Sequence, residues 1–143
     1  MKRVYRATPR TNDYLSIVFI ALGVVVLAFH DAVPFGLPVS IFVIVAGIGC
    51  LYASRNMRYE LTESGITRYD ALGRVWKDFA WADVDGFRFE RHVVNRDFAY
   101  NWYTLHAHGQ KMDFRDLIPE WAALQEDVLR HVDPGVVSLG NSD

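Results

Sequence analysis

The sequence predicts an α+β membrane protein, in which a hairpin of two transmembrane helices precedes a small antiparallel β-barrel or curled sheet with a C-terminal α-helix. Two apolar runs without charged side chains stand close together, at residues 14–29 and 37–54. After residue 55 the apolar residues alternate with a period of two, which is typical of half-buried strands. One amphipathic helical segment follows the strands, and together these patterns divide the chain into an anchor and a small domain.

Basic residues flank the apolar runs and predict their orientation. Residues 1–13 carry four basic side chains and one acidic side chain, and we interpret this segment as a cytoplasmic tail. Basic residues are retained on the cytoplasmic side of a membrane, so both termini are expected in the cytoplasm and the hairpin in the inner cell membrane. The predicted membrane-surface residues are Lys2, Arg3, Arg6, Arg10, Arg55 and Arg58.

The two apolar runs, within residues 14–54, predict the hairpin itself. They contain 16 and 18 residues, slightly fewer than the roughly 20 that span a bilayer, and flanking residues can supply the remainder. The alternatives are a buried hairpin of a soluble protein and a cleaved signal peptide. Small side chains recur along the second run and predict a face for helix packing, either against the first helix or in a dimer. These residues are Ala46, Gly49, Cys50 and Ala53.

Residues 55–133 predict a cytoplasmic domain of about six strands and one helix. The first strand begins almost at the end of the second apolar run, and Pro119 is well placed as the first residue of the helix. Trp121, Leu124 and Val128 mark the apolar face of that helix. Residues 134–143 are expected to be a disordered tail.

This layout resembles that of bacterial membrane proteins with a pleckstrin-homology-like domain. The resemblance depends on the two apolar helices, on the strand and turn at residues 59–66, on the sequence Trp81-Ala82-Asp83-Val84 and on the final helix. It implies a membrane-anchored scaffold or binding module more than a reaction. Phosphoinositide-binding members of the wider family have basic residues in the first hairpin loop, whereas this chain has Glu63 and Ser64 there, so specific inositol-lipid binding is not expected.

The composition and the motifs favour binding over catalysis. Residues 55–143 carry eleven basic and fifteen acidic side chains, so no nucleic-acid partner is expected. Motifs that by themselves indicate a catalytic site are absent, and no cofactor is expected. His106 and His108 are the one pair that suggests a metal-dependent enzyme, with His92, Asp113 or Asp116 as a third ligand. Tyr100 and Trp102 are the predicted partner surface, because tyrosine and tryptophan are enriched in protein interfaces.

We therefore expect an interaction or scaffold module that faces the cytoplasm, binds a protein partner and possesses no catalytic activity. Homo-oligomerisation is a further expectation, because a domain of about 80 residues buries a modest fraction of its surface. The first alternative is a sensor of anionic membrane lipids that uses the basic residues around the hairpin. The second alternative is the metal-dependent enzyme.

Overall fold

The computed structural model describes residues 2–32, 35–95, 98–115 and 120–140. It confirms the expected layout of two long apolar helices followed by β-strands and a C-terminal helix. The strands form two four-stranded sheets, and the described residues contain no closed barrel. The single barrel expected as one possibility is therefore replaced by two sheets that share one core.

Two antiparallel neighbours form the hairpin, α1 (Thr11–Ala28) and α2 (Gly36–Asn56), joined through a short 3₁₀ turn at His30–Ala32. Glycines on each helix face larger side chains on the other. A Cβ atom added at Gly47 would lie 2.7 Å from Ile20 Cγ1, and one added at Gly23 would lie 2.6 Å from Ile44 Cγ1. The helices therefore approach each other closely because these positions lack side chains.

Five of the six buried residues of α1 and α2 follow a seven-residue repeat, and the sixth, Gly36, lies against His30 at the start of α2. Ser40, Gly47 and Ser54 are buried on α2, and Ser16 and Gly23 are buried on α1. A repeat of seven keeps the same stripe of each helix facing its neighbour. We call these five residues the hairpin seam.

The first sheet begins before the hairpin, which corrects the interpretation of residues 1–13 as a tail. Tyr5 is the one buried residue in the first strand, so the sequence has no alternating pattern that predicts this strand. The strand pairs antiparallel with the strand that follows the hairpin. In sheet order, the four strands are β1 (Arg3–Arg6), β2 (Arg58–Leu61), β3 (Gly65–Tyr69) and β4 (Val75–Ala80).

The second sheet contains the remaining predicted strands and one that was not predicted. The strands are β5 (Val84–Asn95), β6 (Phe98–Ala107), β7 (Gln110–Arg115) and β8 (Val137–Gly140), in the order β7-β6-β5-β8. Strand β8 runs parallel to β5 and lies within residues 134–143, where a disordered tail was expected. Residues 141–143 of that segment lie outside the described residues.

Helix α3 (Trp121–His131) closes the core between the two sheets. Its residues Leu124 and Val128 are buried, as the apolar face of the sequence predicts. Pro119 lies outside the described residues. Trp81, in the turn between β4 and β5, donates from Nε1 to the carbonyl of Thr62 at 2.9 Å and stacks on His131 of α3 at 4.9 Å. The tryptophan of the Trp-Ala-Asp-Val sequence thus ties the connection between the sheets to the helix.

Candidate functional site

The structure pairs most of the predicted membrane-surface residues with carboxylates. Arg6 Nη2 lies 2.8 Å from Asp13 Oδ1, and Arg58 Nε lies 3.0 Å from Glu60 Oε1. Charges that are neutralised within the fold have less attraction left for an anionic leaflet. The other pairs are Lys2–Glu60, Arg3–Asp127 and Arg10–Glu120, while Arg55 is exposed and has no ion pair within the described part of the chain.

A small polar cluster joins the two ends of the hairpin to β1. Asp13 Oδ1 accepts a hydrogen bond from Ser54 Oγ at 2.7 Å and also pairs with Arg6. Thr8 Oγ1 donates to the carbonyl oxygen of Ser54 at 2.9 Å. Both ends of the hairpin are therefore fixed to each other and to the first sheet.

A second polar group ties β1 to α3. Asp127 is buried and accepts hydrogen bonds from Arg3 Nη1, at 2.5 Å, and from the Tyr5 hydroxyl. Burial alone would raise the pKa of Asp127, but the hydrogen bonds from Tyr5 and Arg3 outweigh it and hold the pKa below its ordinary value. The carboxylate stays charged because donors surround it.

A cleft lined by polar and aromatic side chains opens beside the start of α1. It has a volume of about 530 Å³ and is bounded by residues from both sheets and from the β1–α1 connection. Two arginines and two tryptophans dominate its walls. The lining residues are Ala7, Pro9, Asn12, Tyr59, Arg68, Trp76, Trp102, Asp113 and Arg115. We call it the arginine cleft.

Arg68 is held in the arginine cleft by aromatic rings. Its guanidinium carbon lies 4.2 Å from the centroid of Trp76 and 5.4 Å from that of Tyr59, which are cation–π distances. Its Nη1 donates to the carbonyl oxygen of Asp113 at 3.4 Å. Its Nε is buried and has no hydrogen-bond partner among the described residues. An unsatisfied buried donor costs about 1–3 kcal/mol, so this atom is suited to an acceptor supplied by a ligand.

Arg115 forms the second arginine–tryptophan pair. Its guanidinium carbon lies 4.3 Å from the centroid of Trp102, its direct cross-strand partner on β6. Arg115 is exposed, and the described residues provide it with no ion pair. Tyr100 lies two residues from Trp102 on the same strand, with the ring centroids 6.2 Å apart. The predicted partner surface of Tyr100 and Trp102 thus adjoins the arginine cleft through Trp102.

Side chains of the first sheet cover the outer edge of β7. Tyr59 donates its hydroxyl to the carbonyl oxygen of Asp113 at 2.9 Å, and Lys77 donates to that of Lys111. Burial raises the pKa of Tyr59 to about 12, so its hydroxyl remains a donor at neutral pH. Because exposed strand edges invite pairing with other chains, these contacts make strand addition at β7 unfavourable.

The two histidines do not share a strand face. His106 lies on β6, but this strand ends at Ala107, and His108 has a left-handed backbone with φ of 51°. His108 Nε2 lies 3.3 Å from Asp83 Oδ1. No group of three metal-ligating side chains occurs within the described residues, which exclude Asp116 and the side chain of His92.

The predicted helix-packing face lies largely outside the contact between the helices. Ala46, Gly49 and Cys50 are exposed, and a Cβ atom added at Gly49 would have nothing within 4 Å. Cys50 and half-buried Ala53 line an apolar groove at the edge of that contact, together with Leu15 of α1. Packing within the hairpin uses the seam instead, because its seven-residue repeat follows the line along which the two helices meet. Dimerisation through the predicted face stays a prediction.

Sequence reasoning missed the main residues of the arginine cleft. Arg68, Trp76 and Arg115 lie on three different strands, and each reads as an ordinary residue of an alternating pattern. The register Trp102↔Arg115 brings one arginine–tryptophan pair together, and it depends on strand pairing. An exposed tryptophan on β4 is the one local signal that could have drawn attention to the cleft.

No family model, no curated protein and no solved structure matches the chain. The candidate site therefore rests on the geometry of the arginine cleft and on its position beside α1.

Proposed function

We propose that the chain is a membrane-anchored, cytoplasm-facing binding module that engages its partner at the arginine cleft and catalyses no reaction. The observation that carries this proposal is the position of Arg68 and Arg115, which have no carboxylate partner among the described residues, directly beside the start of an apolar helix. The resemblance to pleckstrin-homology-like membrane proteins supports the same class of function. A scaffold that binds a protein partner is the form predicted from sequence.

The exposure of the hairpin supports membrane anchoring. Helices α1 and α2 are long and apolar enough to span a bilayer, yet only 11% and 17% of their most apolar windows are buried within the chain. The core helix of a soluble protein would be mostly covered. An apolar surface this large favours association with a second hydrophobic phase, and a bilayer supplies one along the full length of both helices.

The pairing of β1 with β2 supports a domain that lies at one membrane surface. Strand β1 precedes α1 and β2 follows α2, and the two strands pair residue by residue, with Tyr5 opposite Tyr59. The entry and exit of the hairpin are therefore side by side. Basic residues around this junction favour the cytoplasmic side under the positive-inside rule.

The charge of the arginine cleft supports binding of an acidic partner. The described lining residues include two arginines and one acidic residue, Asp113, whose carboxylate accepts a hydrogen bond from Thr104 at 3.1 Å. Arginine presents a planar set of donors that matches carboxylate and phosphate groups. The tryptophans add large rigid contact areas, which often dominate the energetics of an interface.

Site-specific photocrosslinking in intact cells tests this proposal. A photoreactive amino acid in place of Trp76 would sit at the arginine cleft, where we expect a reproducible adduct with a partner. The matched control is Val75, the neighbouring residue on β4, which faces away from the cleft and is 59% exposed compared with 53% for Trp76. Equal labelling at both positions, or none at Trp76 in membrane-inserted protein, would contradict the proposal.

A further inference from the structure

We infer that the arginine cleft receives the phosphate group of an anionic phospholipid from the leaflet in which the hairpin is anchored. This inference rests on the proposed function and names the ligand of the same site. The phosphate would contact Arg68 and Arg115, neither of which is among the six membrane-surface residues predicted from sequence. The cleft would recognise a phosphate anion. A soluble phosphate ester carries the same group and is the alternative ligand.

The position of the cleft supports a lipid source. Pro9 and Asn12 line the cleft, while Leu15, one turn further along α1, is exposed and apolar. A helix rises about 1.5 Å per residue, so Leu15 lies about 5 Å further along the helix axis than Asn12. The headgroup region of one leaflet is roughly 5–8 Å thick, given the total and hydrocarbon thicknesses of a bilayer. The arginine cleft therefore falls at the depth of the headgroups when α1 is inserted.

The tryptophans of the cleft are also consistent with a position at the depth of the headgroups. Trp76 and Trp102 belong to different sheets, yet both line the cleft. Tryptophan is enriched where a protein crosses the membrane–water interface, because its ring is apolar and its N–H is polar. Each ring also covers one face of an arginine, at 4.2 Å for Arg68 and 4.3 Å for Arg115. Stacking leaves the N–H groups in the guanidinium plane free to donate.

The unsatisfied donor of Arg68 supports a phosphate as the ligand. Its Nε is buried at the cleft wall and lacks an acceptor within the described residues. A phosphate oxygen is a strong acceptor and can bind a guanidinium through two parallel hydrogen bonds. The carboxylate of Asp113 opposes the charge of such an anion, but its hydrogen bond from Thr104 shows that it already has a donor. The described residues that line the cleft, with two arginines and one aspartate, therefore carry a net positive charge.

Lipid binding by the full chain tests the inference. Wild-type protein is placed in nanodiscs of phosphatidylcholine containing a minority of phosphatidylglycerol, extracted mildly, and weighed with its bound lipids by native mass spectrometry. We expect phosphatidylglycerol to be enriched over its share of the bilayer. The Arg115→Gln variant should reduce that enrichment by about fivefold to tenfold, since one basic residue near an anionic surface contributes about a factor of five and a specific contact contributes more.

The control variant removes the same charge elsewhere. Arg55→Gln alters an exposed arginine at the C-terminal end of α2 that does not line the cleft, and it should reduce the enrichment less than Arg115→Gln does, because it removes only the general attraction to an anionic surface. Equal losses in both variants would show general attraction to the leaflet and overturn the inference. Arg115 is exposed, so its replacement leaves the core intact, and circular dichroism verifies that the variant is folded.

Further outcomes distinguish a lipid from a soluble phosphate ester, and the lipid inference from the proposed function. If glycerol phosphate in detergent solution prevents lipid retention at concentrations matching the lipid, the ligand is a free phosphate ester and the lipid assignment is wrong. If no lipid is enriched while Trp76 still gives a protein adduct in cells, the cleft binds a protein, so the inference fails and the proposed function stands. If neither occurs, both fail.

Discussion

The hairpin and the two-sheet domain bury opposite kinds of side chain. In the domain most of the buried residues are large and apolar, such as Leu105 and Met112, each fully buried. In the hairpin the buried residues are the small side chains of the seam, while large apolar residues such as Val18 and Phe42 are 61% and 73% exposed. The domain therefore has the burial pattern of a protein surrounded by water, whereas the hairpin has that of a protein surrounded by an apolar medium.

This difference means that the two regions are stabilised in different ways. Burying Leu105 removes apolar surface from water, which stabilises by about 25 cal/mol per Å². Burying Ser40 and Gly47 removes little apolar surface, but it allows the two helix backbones to approach and make many weak contacts. Substitutions of the same type should therefore have different effects in the two regions.

The largest expected effect is the loss of a core leucine. Leu105→Ala should lower the free energy of unfolding by about 2–5 kcal/mol, because it leaves a cavity between the sheets. Leu22→Ala, at a position on α1 that is 52% exposed, should cost much less. Denaturant titration of the purified protein in detergent measures both. Similar losses would show that Leu22 is covered in the assembled protein.

A smaller effect is expected from a bulky residue at the seam. Gly47→Val should destabilise the hairpin by about 1–3 kcal/mol, because its side chain would collide with Ile20 and with the carbonyl of Ser16. Gly49→Val is the matched control, with open space around it. Thermal unfolding in detergent, followed by circular dichroism, compares the two. A greater loss at Gly49 would show that the face predicted from sequence is the one that packs, either within the hairpin or in a dimer.

The smallest expected effect concerns the buried carboxylate of the domain. Asp127→Asn should cost about 1–2 kcal/mol at neutral pH, because the amide keeps one acceptor but loses its charge toward Arg3 and Tyr5. Since the pKa of Asp127 is lower in the folded chain than in the unfolded chain, wild type should lose this stabilisation as the pH falls below about 4.

The pH dependence provides the check on Asp127. Unfolding of Asp127→Asn, measured from neutral to acidic pH, should vary less than that of wild type, whereas Asp85→Asn, at an exposed position on β5, should follow wild type. If wild type and Asp127→Asn show the same acid dependence, the carboxylate does not contribute in the way that its contacts indicate.

The anchor and most strands could be predicted from sequence, because each is a local pattern. The two apolar runs correspond to α1 and α2, and the alternating segments after residue 55 correspond to β2 to β7. Strand β1 has a single buried residue and strand β8 directly follows a turn that contains Pro134 and Gly135, so neither was predicted as a strand. Their pairing partners are distant in the sequence, as with Tyr5 and Tyr59. Short edge strands form because a neighbouring strand is already in place.

The sequence by itself determined where the chain is apolar, where it alternates and which basic residues flank the hairpin, since periodicity and charge are properties of neighbouring residues. Only the tertiary structure decided which charges are free. It paired Arg3, Arg6 and Arg58 with carboxylates, and it brought Arg68 and Arg115 together with two tryptophans in one cleft. Whether an arginine is neutralised depends on what the fold places within a few ångströms, because charge interactions act through space and not along the chain.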